Sequence, residues 1–509
     1  VTADHSPSPI EQVIDQRIGP WLLLLIGALV GALMLLVLGP RPAALGTPTG
    51  DAVLARDATA ALAPGTDFSA ISVVRIRDGQ PAWAGFGDVG ADSRFEIGSL
   101  TKTFNGLLLA DAAERGEVRL DDRLETHLAE LAGTAAGSVT LEELAQHTSG
   151  LPNMAPMSTL RIIAEDLAGA SYSAFGDATP QGIIEASKTI PLTSRGSWSY
   201  SNLGAALLGF ALARAAGAPD WTTYVTQRLF TPLDMTETLV AATGAPAGDL
   251  LQPHNPNGNP MAPQTGTGYA PAGIGVTSTS TDLTKYAQAL LSGTAPGMAA
   301  LGPRIRIDSG ALAGQQMGLA WVVSDADGHD VTWHNGMTGG MTSMLVVDRQ
   351  AQAGVIVLGN RARDLTGAGL ILLAGTDDPG IPAPPPVDGD TVAWVAVGIP
   401  LVLLFAFGAV RGRSRSRVLG QGLGAAGAVL LWGIAQPWDW APPWTFGVAL
   451  GVGVAGGVIA AMRWHRLPWL PPRRRAPAII AFVLGVAWFC LMVGFAVYVG
   501  TLIPRTPAG

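Results

Sequence analysis

Five stretches of the 509-residue chain lack charged side chains and are long enough to cross a hydrocarbon core, which takes about 20 helical residues: 21–38, 391–410, 418–435, 444–462 and 478–500. Between the first and second of them the pattern changes to that of a folded domain. Ile71-Ser-Val-Val-Arg-Ile-Arg77, the turn Asp78-Gly79 and the run 81–86 read as a β-hairpin. Apolar periodicity predicts helices over 100–115, 141–146 and 202–216, the first and last stopped by Gly116 and Gly217. The runs 319–323, 331–334, 342–348 and 354–358 alternate like strands of one antiparallel sheet. Helices between two sets of strands predict an α/β sandwich with both ends of the domain in one sheet and a helical subdomain, plus an α-helical transmembrane bundle. The chain thus divides into a leader (1–20), an anchor (21–38), a main domain (51–374), a Pro-rich linker (375–390), a four-helix transmembrane domain (391–500) and a tail (501–509).

Charge orients these pieces. Only 14% of residues are charged, against about 25% in soluble domains. The main domain holds 19 Lys and Arg against 31 Asp and Glu, a net of −12 with no basic cluster, which excludes a nucleic-acid surface. Arg411, Arg413, Arg415 and Arg417 follow the second span, and Arg463, Arg466, Arg473, Arg474 and Arg475 follow the fourth, with no acid among them. The positive-inside rule makes those loops cytoplasmic. The loop before the fourth span, with Asp439, two Trp and three Pro, suits the outer interface. The expectation is a multi-pass protein of the cytoplasmic membrane with its N-terminus inside and both the main domain and the C-terminal tail outside. The first span reads as an uncleaved anchor, because its leader is net negative where a signal peptide is basic; cleavage near Ala43-Ala44 would leave four spans and the same topology. Gly447, Gly451, Gly453 and Gly457 in the fourth span, and Gly420, Gly424 and Gly427 in the third, form narrow faces that let helices pack closely, within one chain or between copies in a homo-oligomer. No span holds Arg, Lys, Asp, Glu or His, which speaks for an anchor in the lipid bilayer and against a transporter. A single cysteine, Cys490, excludes a disulfide framework, and no histidine pair has metal-ligand spacing, so neither a metal nor a cofactor is expected.

Three clusters carry chemistry. In Phe95-Glu-Ile-Gly-Ser-Leu-Thr-Lys102, Ser99 opens a helix and Lys102 follows at i+3 on the same face. A desolvated lysine has its pKa lowered enough to take a serine proton, and a helix start aims amides at a developing oxyanion. Read alone, Ser-x-x-Lys is a weak pattern, and an N-cap with a surface lysine is the plainer reading. Tyr200-Ser-Asn202 begins the third helix, where Tyr200 could move a proton for Ser99 and Asn202 could hold Lys102 and a substrate amide; a cap and a core aromatic are the plainer reading. Trp333-His-Asn-Gly-Met337 lies on a predicted strand, where Gly336 would let substrate lie against the edge and the Met337 amide could complete an oxyanion hole with that of Ser99.

The order Ser-x-x-Lys, Tyr-x-Asn, His-x-Gly on this architecture resembles the serine β-lactamases and DD-peptidases, in the branch of the class C β-lactamases and related esterases and D-aminopeptidases. Gly116-Glu-Val-Arg-Leu-Asp-Asp122, Thr140-Leu-Glu-Glu-Leu-Ala-Gln-His-Thr-Ser-Gly-Leu-Pro152 and Ala272-Gly-Ile-Gly-Val-Thr-Ser-Thr-Ser-Thr-Asp-Leu283 extend the resemblance over roughly 300 residues. It implies the serine β-lactamase type of sandwich, Ser99 as acyl-enzyme nucleophile, Lys102 as its partner base, Tyr200 as general base and acid, Asn202 as a substrate and lysine contact, and His334 in the third-motif position. It also implies an extracytoplasmic domain, in agreement with the arginines.

Many members carry Lys-Thr-Gly where this chain has His334-Asn-Gly336. An imidazole is mostly neutral at pH 7, so attraction for a substrate carboxylate is expected to be weak. That favours esters, or amides beside a D-residue, over penicillins and terminal D-Ala-D-Ala. No acid takes the deacylating role of class A enzymes, which leaves deacylation to Tyr200 and water. A peptidase domain followed by a small bundle is also similar to the colibactin-maturation type of prodrug peptidase, although four C-terminal spans replace three and Asn202 replaces a serine. His254, in the loop 252–257, is expected either to overhang the cleft or to face solvent, and His147 to order the turn 148–152. The leading expectation is a membrane-anchored serine hydrolase for a small-molecule or peptide substrate. The alternatives are a β-lactamase or DD-carboxypeptidase, a sensor of penicillins or cell-wall fragments, disfavoured by cytoplasmic loops of at most about 15 residues, and an inactive scaffold, disfavoured by the intact Ser99, Lys102 and Tyr200.

Overall fold

The computed structural model describes residues 19–38, 45–62, 68–156, 177–375, 389–435, 443–471 and 475–502, apart from positions 243, 247, 257, 259, 311, 327 and 328. Nearly all of the leader and linker, the loop before the fourth span, Arg473, Arg474 and most of the tail lie outside the described residues. The rest forms two compact units, 45–375 and 19–38 with 389–502.

The first unit is built on a nine-stranded antiparallel sheet. Its strands are β1 (Pro48–Gly50), β2 (Ile71–Arg77), β3 (Gln80–Phe86), β7 (Ile305–Arg306), β8 (Gln316–Met317), β9 (Val322–Ala326), β10 (His329–Met337), β11 (Thr342–Asp348) and β12 (Ala353–Gly359). Their order is β1-β3-β2-β12-β11-β10-β9-β8-β7, so the two ends of the unit meet where β2 pairs with β12. A small second sheet joins β4 (Arg94–Glu96), β5 (Leu239–Val240) and β6 (Val276–Thr279). Strand periodicity sends Leu345, Val347, Ile356 and Leu358 to one core and Met344, Val346, Val355 and Val357 to the other. Helices cover both faces, which is why β11 and β12 are buried along their whole length.

The helices fall where apolar periodicity and caps place them. Lys102–Glu114 runs buried through the larger core. Leu141–Ala145 starts with a capping box between Thr140 and Glu143, and Asn202–Ala215 is capped by Ser201. One strand departs from the sequence expectation. The run 319–323 starts β9 too early, because Gly318–Trp321 closes the β8–β9 hairpin with Ala320 at φ +58°, and the strand begins at Val322.

The second unit is five helices, Pro20–Leu38, Gly389–Arg411, Arg415–Ala435, Pro443–Arg463 and Arg475–Leu502. Among the described residues, three stretches have the length and composition to cross a membrane: Pro20–Val37, Trp444–Arg466 and Arg475–Val499. The described apolar part of the second helix, Ile399–Arg411, is shorter. The third opens on Arg415 and Arg417 and carries Gln421. The predicted glycine face of the fourth helix is occupied inside the chain: a methyl group on Gly27 or Gly31 would overlap the backbone of Gly451 or Gly447. Gly420 meets Ala481 and Gly485 in the same manner.

Candidate active site

Ser99 sits in a single 3-10 turn, Gly98–Thr101, that leads directly into the Lys102–Glu114 helix. One helical turn brings Lys102 Nζ to 2.9 Å from Ser99 Oγ, and the same amine donates to the Ala272 carbonyl at 2.6 Å. Lys102 is only 1% exposed, and among the described residues no carboxylate pairs with it, so burial holds its pKa well below the usual lysine range. Tyr200, on the residue before the Ser201 cap, places its hydroxyl 2.7 Å from Ser99 Oγ on the other side. Its ring lies 5.0 Å from Lys102 Nζ. Burial pushes the Tyr200 phenol up to about 12, with the Ser99 hydrogen bond pulling the other way. The sequence-predicted trio therefore meets at one oxygen.

β10 supplies the opposite wall. β9 pairs with it only as far as Trp333, so His334 to Met337 present a backbone edge that no strand covers. The Thr338 amide turns inward to the Met341 carbonyl. Alternation along an antiparallel strand then directs the Met337 amide outward, toward the serine turn. Glycines permit the approach: a β-carbon on Gly336 would run into the Ile97 carbonyl, and one on Gly98, at φ +49°, would stand 2.9 Å from the Met337 nitrogen. Ser343 Oγ fixes the contact by donating to the Ile97 carbonyl at 2.7 Å. The Ser99 amide, in the first turn, has no helical carbonyl to reach. Nucleophile, amine, phenol and two neighbouring amides thus surround one position where an acyl carbon can sit.

Comparison with known proteins bears on the fold that carries this geometry. The family described as Beta-lactamase matches residues 57–374, more than half of the chain. The chain belongs to the β-lactamase family. Its members are serine hydrolases, and the domain has their fold. Beta-lactamase-like protein 2 of Dictyostelium discoideum is 32% identical over 151 residues, which is 28% of this chain and 26% of that protein. The chain spans about a quarter of the length of the first curated relatives it matches. Among solved structures, a class C β-lactamase from Rhodobacter sphaeroides superposes with a TM-score of 0.52 at 20% identity, over 63% of this chain and 99% of that one. A D-stereospecific amidohydrolase from Streptomyces sp. gives 0.54 at 24% identity, over 64% and 99%. At these identities the shared property is the fold.

The remaining residues singled out in the sequence separate within this family frame. His334 lies on β10, 4% exposed, and its Nδ1 donates to the Asn335 carbonyl, which leaves Nε2 as a lone-pair acceptor with no hydrogen-bond partner among the described residues. Burial, then the nearby Lys102 charge, brings its pKa down to about 4, so the ring is neutral. Among the described residues Asn202 makes no hydrogen bond to Lys102. Its amide donates to Asn153 Oδ1 at 2.8 Å, and the Ala272 carbonyl holds the lysine instead. The cause is the turn after Leu151, which carries Asn153 to the start of the Asn202–Ala215 helix and bonds the Asn202 backbone as well. His254 is tied down: its amide bonds the carbonyls of Gly340 and Asn360, and its ring the Asn360 carbonyl. His147 does more than order a turn, for its ring packs 4.5 Å from that of Tyr200. In the sequence His147 has no role beyond ordering the turn 148–152, and Ala272 is marked only as the first residue of the 272–283 stretch.

Proposed function

We infer that this protein is a membrane-anchored serine hydrolase that acylates Ser99 with a neutral ester or amide substrate, such as a peptide containing a D-amino acid. One observation carries the reading: Ser99 Oγ lies within hydrogen-bond reach of both Lys102 and Tyr200. The directions of the two pKa shifts assign their tasks. A buried amine with a depressed pKa is available as a base, while a phenol near 12 is a proton donor at neutral pH. As Ser99 Oγ attacks the substrate carbonyl, its proton passes to Lys102, and the carbonyl oxygen takes up negative charge between the amides of Ser99 and Met337. When the C–N or C–O bond breaks, Tyr200 gives its proton to the leaving atom and is resupplied by the protonated Lys102. Deacylation repeats the sequence with water in place of Ser99: the water proton passes to Lys102, and as the acyl–oxygen bond breaks Ser99 Oγ takes a proton from Tyr200, which Lys102 resupplies.

The third motif directs the choice of substrate. His334 offers a neutral acceptor where a cation would attract a carboxylate, which favours a substrate with an N–H or O–H donor there. The exposed Met337 side chain, 57% accessible beside the serine turn, adds an apolar surface. The D-stereospecific amidohydrolase among the structural neighbours is named for chemistry of this class. Anchoring is supported by the three apolar stretches, and the arginines after 410 and 462 support an extracytoplasmic catalytic domain.

Labelling of the full-length protein in detergent with a fluorophosphonate and with a fluorescent penicillin, each against Ser99→Ala, tests the reading. Ser99-dependent labelling by the fluorophosphonate, with little by the penicillin, is the expected result. Equal labelling by both would favour a β-lactamase or DD-carboxypeptidase. No labelling of folded protein would favour a binding or sensing role.

A further inference from the structure

His147 follows the Leu141–Ala145 helix in the left-handed region, φ +59°, and is 1% exposed. From this position the chain 147–150 runs beside the segment 193–201. The Thr193 amide bonds the Gly150 carbonyl, the Gly196 amide bonds the Thr148 carbonyl, and the Ser199 amide bonds the His147 carbonyl at 2.7 Å. The last step of this zipper uses the side chain: the Ser201 amide donates to His147 Nδ1 at 3.2 Å. One residue therefore bonds the amides of both neighbours of Tyr200, that of Ser199 through its carbonyl and that of Ser201 through its ring. The ring also packs against the Tyr200 ring, with centroids 4.5 Å apart at 44°, and meets Trp198 edge-on at 6.4 Å.

We propose that His147 is the positioning residue for Tyr200, holding the phenol on Ser99 Oγ through the two backbone contacts and the ring face. Because Nδ1 accepts a peptide N–H, the ring must be the neutral Nε2–H form. Burial keeps it so. The ring nitrogens contribute nothing to the turn 148–152, so a turn-forming role leaves the Nδ1 contact unexplained. The support beneath His147 is rigid: a capping box, buried Leu144 and Ala145, and a Glu143–Arg195 ion pair that pins the zipper from outside.

This rests on the reading of Tyr200 as the proton donor, and the experiment separates the two. The acylation rate constant, KM and melting temperature of the full chain in detergent are measured on a D-amino-acid p-nitroanilide, whose leaving nitrogen needs a proton, for His147→Leu, His147→Asn, Tyr200→Phe and the double variants. Misplacing a proton donor by about 1 Å is worth roughly 10²-fold, so His147→Leu is expected to lower acylation by about that much with KM within about twofold, and His147→Asn, whose Oδ1 can accept the Ser201 amide, to recover most of it. Neither His147 variant is expected to slow Tyr200→Phe further. Equal losses in the Leu and Asn variants, or losses that multiply with Tyr200→Phe, would overturn the proposal. Should the leucine variant not fold, the smaller loss in His147→Asn must still vanish in the Tyr200→Phe background. Failure of the underlying reading shows elsewhere, as full activity in Tyr200→Phe alone.

Discussion

The two units use the same device, close backbone approach through glycine, for opposite ends. In the hydrolase unit Gly98 and Gly336 bring a strand edge against the serine turn. What that approach encloses is polar and titratable: Lys102, Tyr200, His147 and His334, each with its pKa moved by burial. In the helical unit Gly27 and Gly31 meet Gly451 and Gly447, and the contact encloses only backbone and alanine. Its cations sit at helix ends, where Arg463 bonds the carbonyls of Ala409, Val410 and Gly412, and Arg415 that of Trp464. Perturbed titratable groups gather where chemistry is done, and the four named here all lie in the hydrolase unit, in keeping with the proposed catalysis there.

The strongest way to break this comparison is to remove the perturbed groups. Lys102→Ala and Tyr200→Phe are each expected to reduce turnover of an activated ester by roughly 10²–10⁴-fold, the contribution of one acid–base group. Full turnover in either variant would sink the mechanism. The pH profile carries a matching sign. Lys102 acts while neutral and its pKa is depressed, so kcat/KM should rise with pH through a midpoint well below the ordinary lysine value of 10.5, and fall as Lys102 is protonated below it. A limb near 10.5 would mean an exposed lysine.

How far the sequence foretold all this depends on the range of the contacts. Ser99 and Lys102 are one helical turn apart, and β2 and β11 occupy the runs 71–77 and 342–348 that alternation predicts, because local periodicity determines both. The partner of Asn202 was not legible, since Asn153 arrives from a separate turn. Nor was the place of His147, which depends on docking the segment 193–201 along 147–150. Glycine spacing announced that the fourth apolar helix has a narrow face, but not that Gly27 and Gly31 of the first would fill it.

A smaller effect sharpens the comparison inside the hydrolase unit, between its chemical corner and its recognition corner. His334→Lys places a cation on β10 near Lys102, whose charge already depresses His334. Acylation by a fluorescent penicillin, which bears a carboxylate, is expected to quicken about tenfold, the worth of one charge-assisted hydrogen bond. Turnover of a neutral ester should not gain, and the acid limb should move to lower pH, because a second cation disfavours protonation of Lys102. Unchanged penicillin labelling would mean that the third motif does not face the substrate carboxylate.

The smallest expected effect is on catalysis when the other unit is disturbed. Gly451→Leu drives a side chain into the Gly27 backbone, and overpacking of this kind costs about 1–3 kcal/mol. The Pro20–Leu38 helix should separate from Pro443–Arg463 and become easier to crosslink or digest, while kcat on a soluble ester stays within about twofold, since no group of the site belongs to the helical unit. A fall in kcat with the hydrolase unit still folded would overturn the division of labour. The four apolar helices after the linker would then be part of how substrate reaches Ser99, and the glycine contact between the first and fourth would be one of its moving parts.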